Sequence, residues 1–202
     1  KSKDQQFSGP WGDKYGTFDD YAKWGVGHEV RVPLWELVFH DCVVSTWYWG
    51  DSTGHLQEVA PELGYKQDAF NVLYGTVPLY WVNKPYSYRW DEPATRARLL
   101  ESYRNTCKLH EKIAFEEMVS HEFVTEDRAV QKTVFSDGTE VWANFGEQPW
   151  SLQRRQDSYR LPQFGFHAKG PKIELYRAAR TQQAADAAAP SVVTCIRTED
   201  YL

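Results

Sequence analysis

Cysteine is scarce in this sequence, and the motifs that mark metal or nucleotide sites are missing. The three cysteines stand far apart at Cys42, Cys107 and Cys195, without a CxxC or other metal-ligand spacing. Each lies among apolar residues, which is typical of buried free thiols. No P-loop, Rossmann glycine pattern, nucleophile elbow or HExxH motif occurs either. We therefore expect no cofactor and no metal, and cysteine usage does not identify the compartment.

Long apolar runs and basic stripes are missing as well. No run approaches the roughly 18 residues of a membrane-spanning helix, and the amino terminus does not have the pattern of a signal peptide. The net charge is −5 with no cluster of Lys or Arg, which argues against a nucleic-acid partner. The chain begins at Lys1 and its single methionine is Met118, so we expect it to be one piece of a longer polypeptide.

Aromatic residues, by contrast, are abundant: 9 Trp, 12 Tyr and 10 Phe make up 15% of the 202 residues. The length suits one large domain or two small ones, with room for a real core. Most of these rings are expected in that core. The alternative is that several line a cleft for a flat or ring-shaped ligand, because pyranose sugars stack their apolar faces on Trp and Tyr.

The first half of the chain has the pattern of a parallel α/β structure. Residues 30–39 and 77–82 are nearly continuous apolar runs, as in strands covered on both faces. Residues 67–74 and 91–116 have helical character, the second with Asp91 as its N-cap. This order predicts two βα units, which either pack unusually on the second half or form the end of a larger (β/α)8 barrel of the TIM type; we expect the barrel. The predicted apolar stripe of the long helix comprises Leu100, Tyr103, Cys107, His110 and Ala114.

Residues 119–202 have the pattern of an antiparallel β-sandwich, which follows the partial barrel predicted for residues 1–118. Asp137-Gly138 supplies a tight turn between two β-rich segments, so it predicts a hairpin. Strands are predicted at residues 122–125, 129–135, 140–145, 164–170, 172–178 and 191–197.

Candidate site residues follow the two predicted strands of the first half. Functional groups gather at the carboxyl ends of strands in parallel α/β folds. Carboxylates beside aromatic rings are suited to sugars, because glycoside cleavage needs two carboxyl groups that flank the bond. Asp41 and Asp51 are the candidate catalytic acids, with Glu36 next. The candidate substrate-binding residues are His40, Trp47, Trp49, Tyr80, Trp81 and Asn83.

Several of these residues also have a structural interpretation. Glu36 lies in an apolar run and could pair with a buried arginine, while His40 could be a satisfied core histidine. Asp51 precedes Ser-Thr-Gly and could belong to a turn. Trp47 and Trp49 share one face if their segment is extended, so one aromatic side would face the core and the other a ligand.

Four segments resemble a known group of enzymes. They are VPLWELVFHDCVVSTWYWGD, NVLYGTVPLYWV, VQKTVFSDGTEVWANFG and LPQFGFHAKGP. Together they resemble the carboxyl-terminal part of large (β/α)8-barrel glycoside hydrolases related to endo-α-N-acetylgalactosaminidases, over residues 30–177. The resemblance implies the last barrel units followed by a β-sandwich, and hydrolysis of O-glycosidic bonds. It also implies that the catalytic pair lies upstream of Lys1, with His40, Asp41 and Asp51 holding sugar hydroxyls.

Three functions remain open at this point. The first is the carboxyl-terminal part of a glycoside hydrolase, whose partner would be a carbohydrate or glycoconjugate and whose role would suggest secretion, a periplasmic location or the cell surface. The second is a non-catalytic carbohydrate-binding module with the aromatic loops as a sugar platform. The third is a structural domain in which all aromatics belong to the core.

Overall fold

A computed structural model describes residues 28–47, 62–78, 90–154, 157–182 and 191–198. Most of this part of the chain is antiparallel β-sheet, and three helices lie against it. The helices are α1 (Leu34–Phe39), α2 (Glu62–Tyr74) and α3 (Pro93–Ile113). Two short strands, β1 (Thr46–Trp47) and β2 (Val77–Pro78), form a separate parallel pair. None of the described helices is long and apolar enough to cross a membrane.

The strand predicted at residues 30–39 is wrong, because this segment contains α1. Pro33 precedes the helix with a φ of −75°, and its carbonyl oxygen accepts a hydrogen bond from the Leu37 N–H at 2.9 Å. Burial follows the helical spacing, with Pro33, Glu36 and His40 turned inward. A continuous apolar run fits either element, and here the proline favoured the helix. A parallel strand pair is present, but its first strand is β1 and not residues 30–39.

The two predicted longer helices are present with different limits. α2 starts at Glu62, ahead of the predicted residue 67, and Gly75 follows it with a φ of +67°. α3 begins at Pro93 with Glu92, not Asp91, as its N-cap. Proline at the first helical position costs nothing, because that N–H has no partner within a helix.

The apolar stripe predicted for α3 is wrong in part, since Leu100 and Tyr103 are exposed. The buried face is mixed in polarity because it meets Asp68 of α2. Arg98 Nη2 and Ser102 Oγ donate to the Asp68 carboxylate at 2.8 and 2.5 Å, and these bonds make a polar face stable in the interior. The buried residues of α3 are Leu99, Ser102, Asn105, Thr106, Leu109 and Ile113.

Among the described residues, eight strands form the antiparallel sheet, in the order β3-β4-β5-β8-β9-β7-β6 with β10 also paired to β9. The predicted hairpin is confirmed: Val134 pairs with Glu140, and Gly138 has a φ of +85° in the turn. The hairpin of β6 and β7 was not predicted. The strands are β3 (Met118–Phe123), β4 (Val130–Phe135), β5 (Glu140–Asn144), β6 (Trp150–Arg154), β7 (Asp157–Leu161), β8 (Gly165–Lys169), β9 (Ile173–Gln182) and β10 (Val193–Thr198).

Two hydrophobic clusters lie against the sheet. In the larger one, Phe70 of α2 stacks on Phe145 at 4.3 Å, beside Val141 and Phe166 of the sheet. Burial of such side chains stabilises the fold by about 1.5–3 kcal/mol each. In the smaller cluster, Leu152 and Tyr159 of the β6–β7 hairpin pack with Tyr176 and Ala178 of β9. The larger cluster contains residues from both sides of the predicted boundary at 118/119, and the domain division, the barrel and the sandwich stay predictions.

The cysteines are free, as expected, but they are not uniformly buried. Cys42 is exposed, whereas Cys107 and Cys195 are half-buried. Cys42 lies just beyond α1, where the apolar neighbours that suggested burial are themselves on the surface.

Candidate functional site

His40 lies in the interior at the end of α1, with 5% of its surface exposed. Its Nδ1 lies 2.6 Å from the carbonyl oxygen of Glu116, and its Nε2 lies 3.2 Å from that of Gly75. The imidazole also packs on the ring of Phe135 at 4.9 Å. His40 therefore joins α1 to the end of α2, to the segment after α3 and to β4.

Asp41 lies next to His40 but on the surface. Its Oδ1 accepts a hydrogen bond from the Cys42 thiol at 3.2 Å, and this bond raises the pKa of the thiol. The backbone of Trp47 lies in β1. The other predicted site residues, Trp49, Asp51, Tyr80, Trp81 and Asn83, lie outside the described residues. The site predicted from the sequence stays a prediction.

A cleft of about 460 Å³ opens between α1 and the segment that leads into β1. Its volume is in the range of small-ligand sites, which is about 300–1,000 Å³. The residues with side chains suited to a polar ligand are Arg31, Trp35, Glu36, Ser45, Thr46 and Tyr74. The remaining lining is apolar and belongs to the same 30–46 segment.

Glu36 supplies a buried carboxyl group to this cleft, with 6% of the residue exposed. Burial raises its pKa, while the interaction of the carboxyl group with its own backbone N–H and the charges of His40 and Arg31 act in the opposite direction. A carboxyl group with a raised pKa holds its proton closer to neutral pH, as a general acid must. The pairing of Glu36 with a buried arginine stays a prediction, although the charge of Arg31 does act on the Glu36 carboxyl group.

Trp35 precedes Glu36 in α1, and it is 54% exposed. Its indole Nε1 donates a hydrogen bond to Ser45 Oγ at 3.1 Å, and its ring lies 4.6 Å from that of Phe39. These two contacts fix the orientation of the indole. A fixed and exposed tryptophan beside a buried carboxyl group is suited to a sugar ring.

Tyr74 and Arg31 complete the polar lining. Burial raises the pKa of Tyr74, with a smaller opposing effect from Arg31, so the phenol is neutral at physiological pH. The Arg31 guanidinium lies 5.4 Å from the centre of the Phe70 ring. Sequence patterns did not indicate either residue, because Tyr74 belongs to a helix outside the predicted strand ends and Arg31 lies at the start of the segment that was predicted to be a buried strand.

Glu174 of β9 is a half-buried ionisable group whose partners are other side chains of the sheet. Glu174 accepts a hydrogen bond from the Tyr159 hydroxyl at 2.9 Å and lies 3.6 Å from His167 Nε2. His167, with a smaller contribution from Tyr159, lowers the pKa of Glu174 to about 2. Within the described residues, no group of three His, Cys, Asp or Glu side chains has an arrangement that could hold a metal ion.

Comparison with protein families gives a match over residues 17–134 to the family described as glycosyl hydrolases related to GH101 family, GH129. No curated protein matches. Among solved structures, the ligand-free α-N-acetylgalactosaminidase NagBb from Bifidobacterium bifidum is 30% identical, with a TM-score of 0.40 over 57% of this chain and 16% of that one. A quadruple mutant of NagBb is 28% identical, with a TM-score of 0.43 over 63% and 18%. The chain thus spans less than a fifth of the length of these two structures.

Proposed function

This chain belongs to GH129, a family of glycosyl hydrolases related to GH101, and we propose that it is the carboxyl-terminal portion of an enzyme that hydrolyses O-glycosidic bonds. In this proposal the cleft beside α1 holds one sugar of the substrate. The observation that carries it is the pairing of exposed Trp35 with buried Glu36 in one cleft.

Each polar group of the cleft has a distinct role in the proposal. The Trp35 ring stacks on the apolar face of a pyranose. Glu36 holds a proton and donates it to a sugar oxygen, while Arg31 and Tyr74 bind hydroxyl groups. His40 positions α1 through its two carbonyl contacts, in place of the sugar-binding role that the sequence predicts.

Hydrolysis of a glycoside needs a second carboxyl group. Asp41 and Asp51 remain the candidates within this chain, and a carboxylate from another part of a longer polypeptide is the alternative implied by the family resemblance. The predicted sugar-binding residues Trp47 and Trp49, together with Tyr80, Trp81 and Asn83, remain candidates for the rim of the same cleft.

A longer polypeptide also accounts for the surface of the 30–44 segment. Large apolar side chains are exposed there in succession, which is unusual for a surface that faces water. We infer that another part of the same enzyme covers those that lie outside the cleft. The exposed residues are Val30, Val32, Leu34, Trp35, Val38, Phe39, Val43 and Val44, of which Val32, Leu34, Trp35 and Val43 line the cleft.

The test is turnover by the enzyme expressed from its complete reading frame. We expect Glu36→Gln to lower kcat/KM on a chromogenic α-N-acetylgalactosaminide, or on the best glycoside of a panel, by about 100-fold. Glu126→Gln is the matched control, because Glu126 is exposed in the β3–β4 loop. Unchanged kcat/KM in the Glu36 variant would remove this residue from the reaction.

The competing proposal is a carbohydrate-binding module without catalysis, which the exposed indole of Trp35 also favours. Two variants, Trp35→Ala and Glu36→Gln, separate these proposals. A binding module holds a glycan, loses it with Trp35→Ala and shows no turnover in any variant. An enzyme shows turnover that depends on Glu36.

A further inference from the structure

A second cleft, of about 350 Å³, lies between two loops of the antiparallel sheet. One loop joins β3 to β4 and the other joins β5 to β6. This cleft shares no lining residue with the one beside α1. Its principal side chains are Thr125, Asp127, Glu147, Gln148, Pro149 and Trp150.

One wall of this cleft is aromatic and is supported from behind. The Trp150 ring stacks on Trp142 with 5.6 Å between centroids and 17° between planes. Lys132 Nζ and Arg154 Cζ lie 4.8 and 5.4 Å from the centre of the Trp142 ring. Both cations also form ion pairs with Glu140, at 2.8 and 2.5 Å. The Trp142 ring is therefore fixed, and it fixes the Trp150 ring in turn.

The opposite wall presents hydrogen-bond acceptors. Asp127 Oδ1 accepts bonds from the Thr125 hydroxyl at 2.6 Å and from the Ala129 N–H at 3.0 Å. The Thr125 bond, followed by the Ala129 bond, lowers the pKa of Asp127. The carboxylate is exposed and ionised, and because both bonds end on Oδ1, Oδ2 retains the capacity to accept from a ligand hydroxyl. Glu147 and Gln148 add exposed polar groups on the second loop.

The two loops are held together before any ligand arrives. The Phe145 N–H donates to the Ala129 carbonyl at 2.8 Å. Asn144 Nδ2 donates to the Gln148 carbonyl at 2.9 Å, and Asn144 Oδ1 accepts from the Gly146 N–H at 2.9 Å. A Cβ on Gly146 would lie 3.0 Å from the Ala129 Cβ, so the loops approach closely there. Because the loops are already ordered, ligand binding has only a small free-energy cost for ordering this site.

We propose that this cleft is a second carbohydrate site, in which a pyranose ring stacks on Trp150 and donates hydroxyl hydrogen bonds to Asp127. The volume suits one or two sugar residues, and a fixed aromatic face opposite an ionised carboxylate matches the apolar face and hydroxyl edge of a pyranose. The site is non-catalytic and serves to hold a glycan chain against the antiparallel sheet. It is independent of the proposal for Glu36, because it is measured by binding and not by turnover.

The experiment titrates the whole chain with methyl galactoside, methyl N-acetylgalactosaminide, methyl glucoside and an oligosaccharide glycan panel. Binding is followed by calorimetry and by NMR shifts of the tryptophan indole N–H groups. We expect millimolar or tighter binding to at least one probe, with a Kd raised fivefold or more by Asp127→Asn and by Trp150→Ala. Asp127→Asn retains the loop acceptor Oδ1, so it reports on binding even if Trp150→Ala disturbs the sheet.

Two control variants make the result specific. Trp90→Ala removes an exposed tryptophan outside both clefts and should leave Kd unchanged. Trp35→Ala removes the platform of the α1 cleft and should leave one sugar-dependent indole shift, that of Trp150, in place. The inference is overturned if no probe binds, or if binding is abolished by Trp35→Ala and unaffected by Asp127→Asn. Loss of turnover in Glu36→Gln with sugar binding retained would support the two proposals separately.

Discussion

Residues 30–44 contain more apolar residues than the β4–β5 hairpin, yet the two regions place these residues in opposite ways. In the hairpin, Phe135, Val141 and Ala143 are buried. In residues 30–44, large apolar side chains are exposed while Glu36 and His40 are buried. A protein places a carboxyl group inside and apolar groups outside only where something other than its own stability requires it. Residues 30–44, which we call the inverted segment because polar residues are buried and apolar residues exposed, are therefore where we expect a ligand and a covering surface.

The largest effect is expected where the inverted segment is joined to the sheet. Gly75→Ala should lower the free energy of unfolding by about 3 kcal/mol or more, because a methyl group would strike the His40 imidazole at a φ of +67°. Gly138→Ala is the matched control, with a φ of +85° but open space around it. It should cost about 1–2 kcal/mol, the conformational penalty alone. Equal losses in urea denaturation would mean that His40 does not fix this junction.

A smaller change in stability is expected when apolar residues of the two regions are truncated. Val141→Ala in β5 should cost about 2 kcal/mol, because it leaves a cavity at a fully buried position. Val38→Ala in α1 should change stability by less than about 0.5 kcal/mol, because that side chain is 56% exposed. Thermal unfolding of both variants of the 202-residue chain, in which this surface is uncovered, measures the difference. A large loss from Val38→Ala would contradict the exposure of this surface.

The smallest effect concerns the buried acid itself. Because burial raises the pKa of Glu36 in the folded state, the associated stability is complete at pH values below the unfolded pKa and is lost as pH rises through the folded pKa. Glu36→Gln, which stays neutral, should therefore equal or exceed the wild type in stability at pH 7, by up to about 1 kcal/mol. Its advantage should vanish near pH 4. Denaturation curves at the two pH values check this, and a destabilised variant at pH 7 would contradict it.

The elements that sequence patterns predicted best are those in which local geometry and burial agree. Asp137-Gly138 specifies a tight turn by its conformational preference, and the hairpin follows. Gly75 marks the end of α2 in the same way. The strand predicted at residues 30–39 was wrong because an apolar run does not distinguish a short helix from a buried strand. The face of α3 was misassigned because Asp68, thirty residues away, supplies the partners that bury a polar stripe.

The candidate site could be predicted only in part. Sequence patterns drew attention to Glu36, His40 and Asp41, since acids and histidines stand out in an apolar segment. They could not indicate that Glu36 is inside and Asp41 outside, because that depends on a helical period that was not recognised. Arg31 and Tyr74 reach the cleft from two separate segments, and only the folded chain brings them together.

α2 packs on strands that are translated well after it, which affects the order in which the core can form during synthesis. Phe70 and its neighbours pack on Phe145 and, in β8, on Phe166, and Leu73 accepts a hydrogen bond from Thr133 at 2.6 Å. At usual translation rates β8 follows α2 by on the order of 5 to 20 s. During that interval α3, β4 and β5 can cover part of the apolar face of α2, but its burial is complete only when β8 has been synthesised.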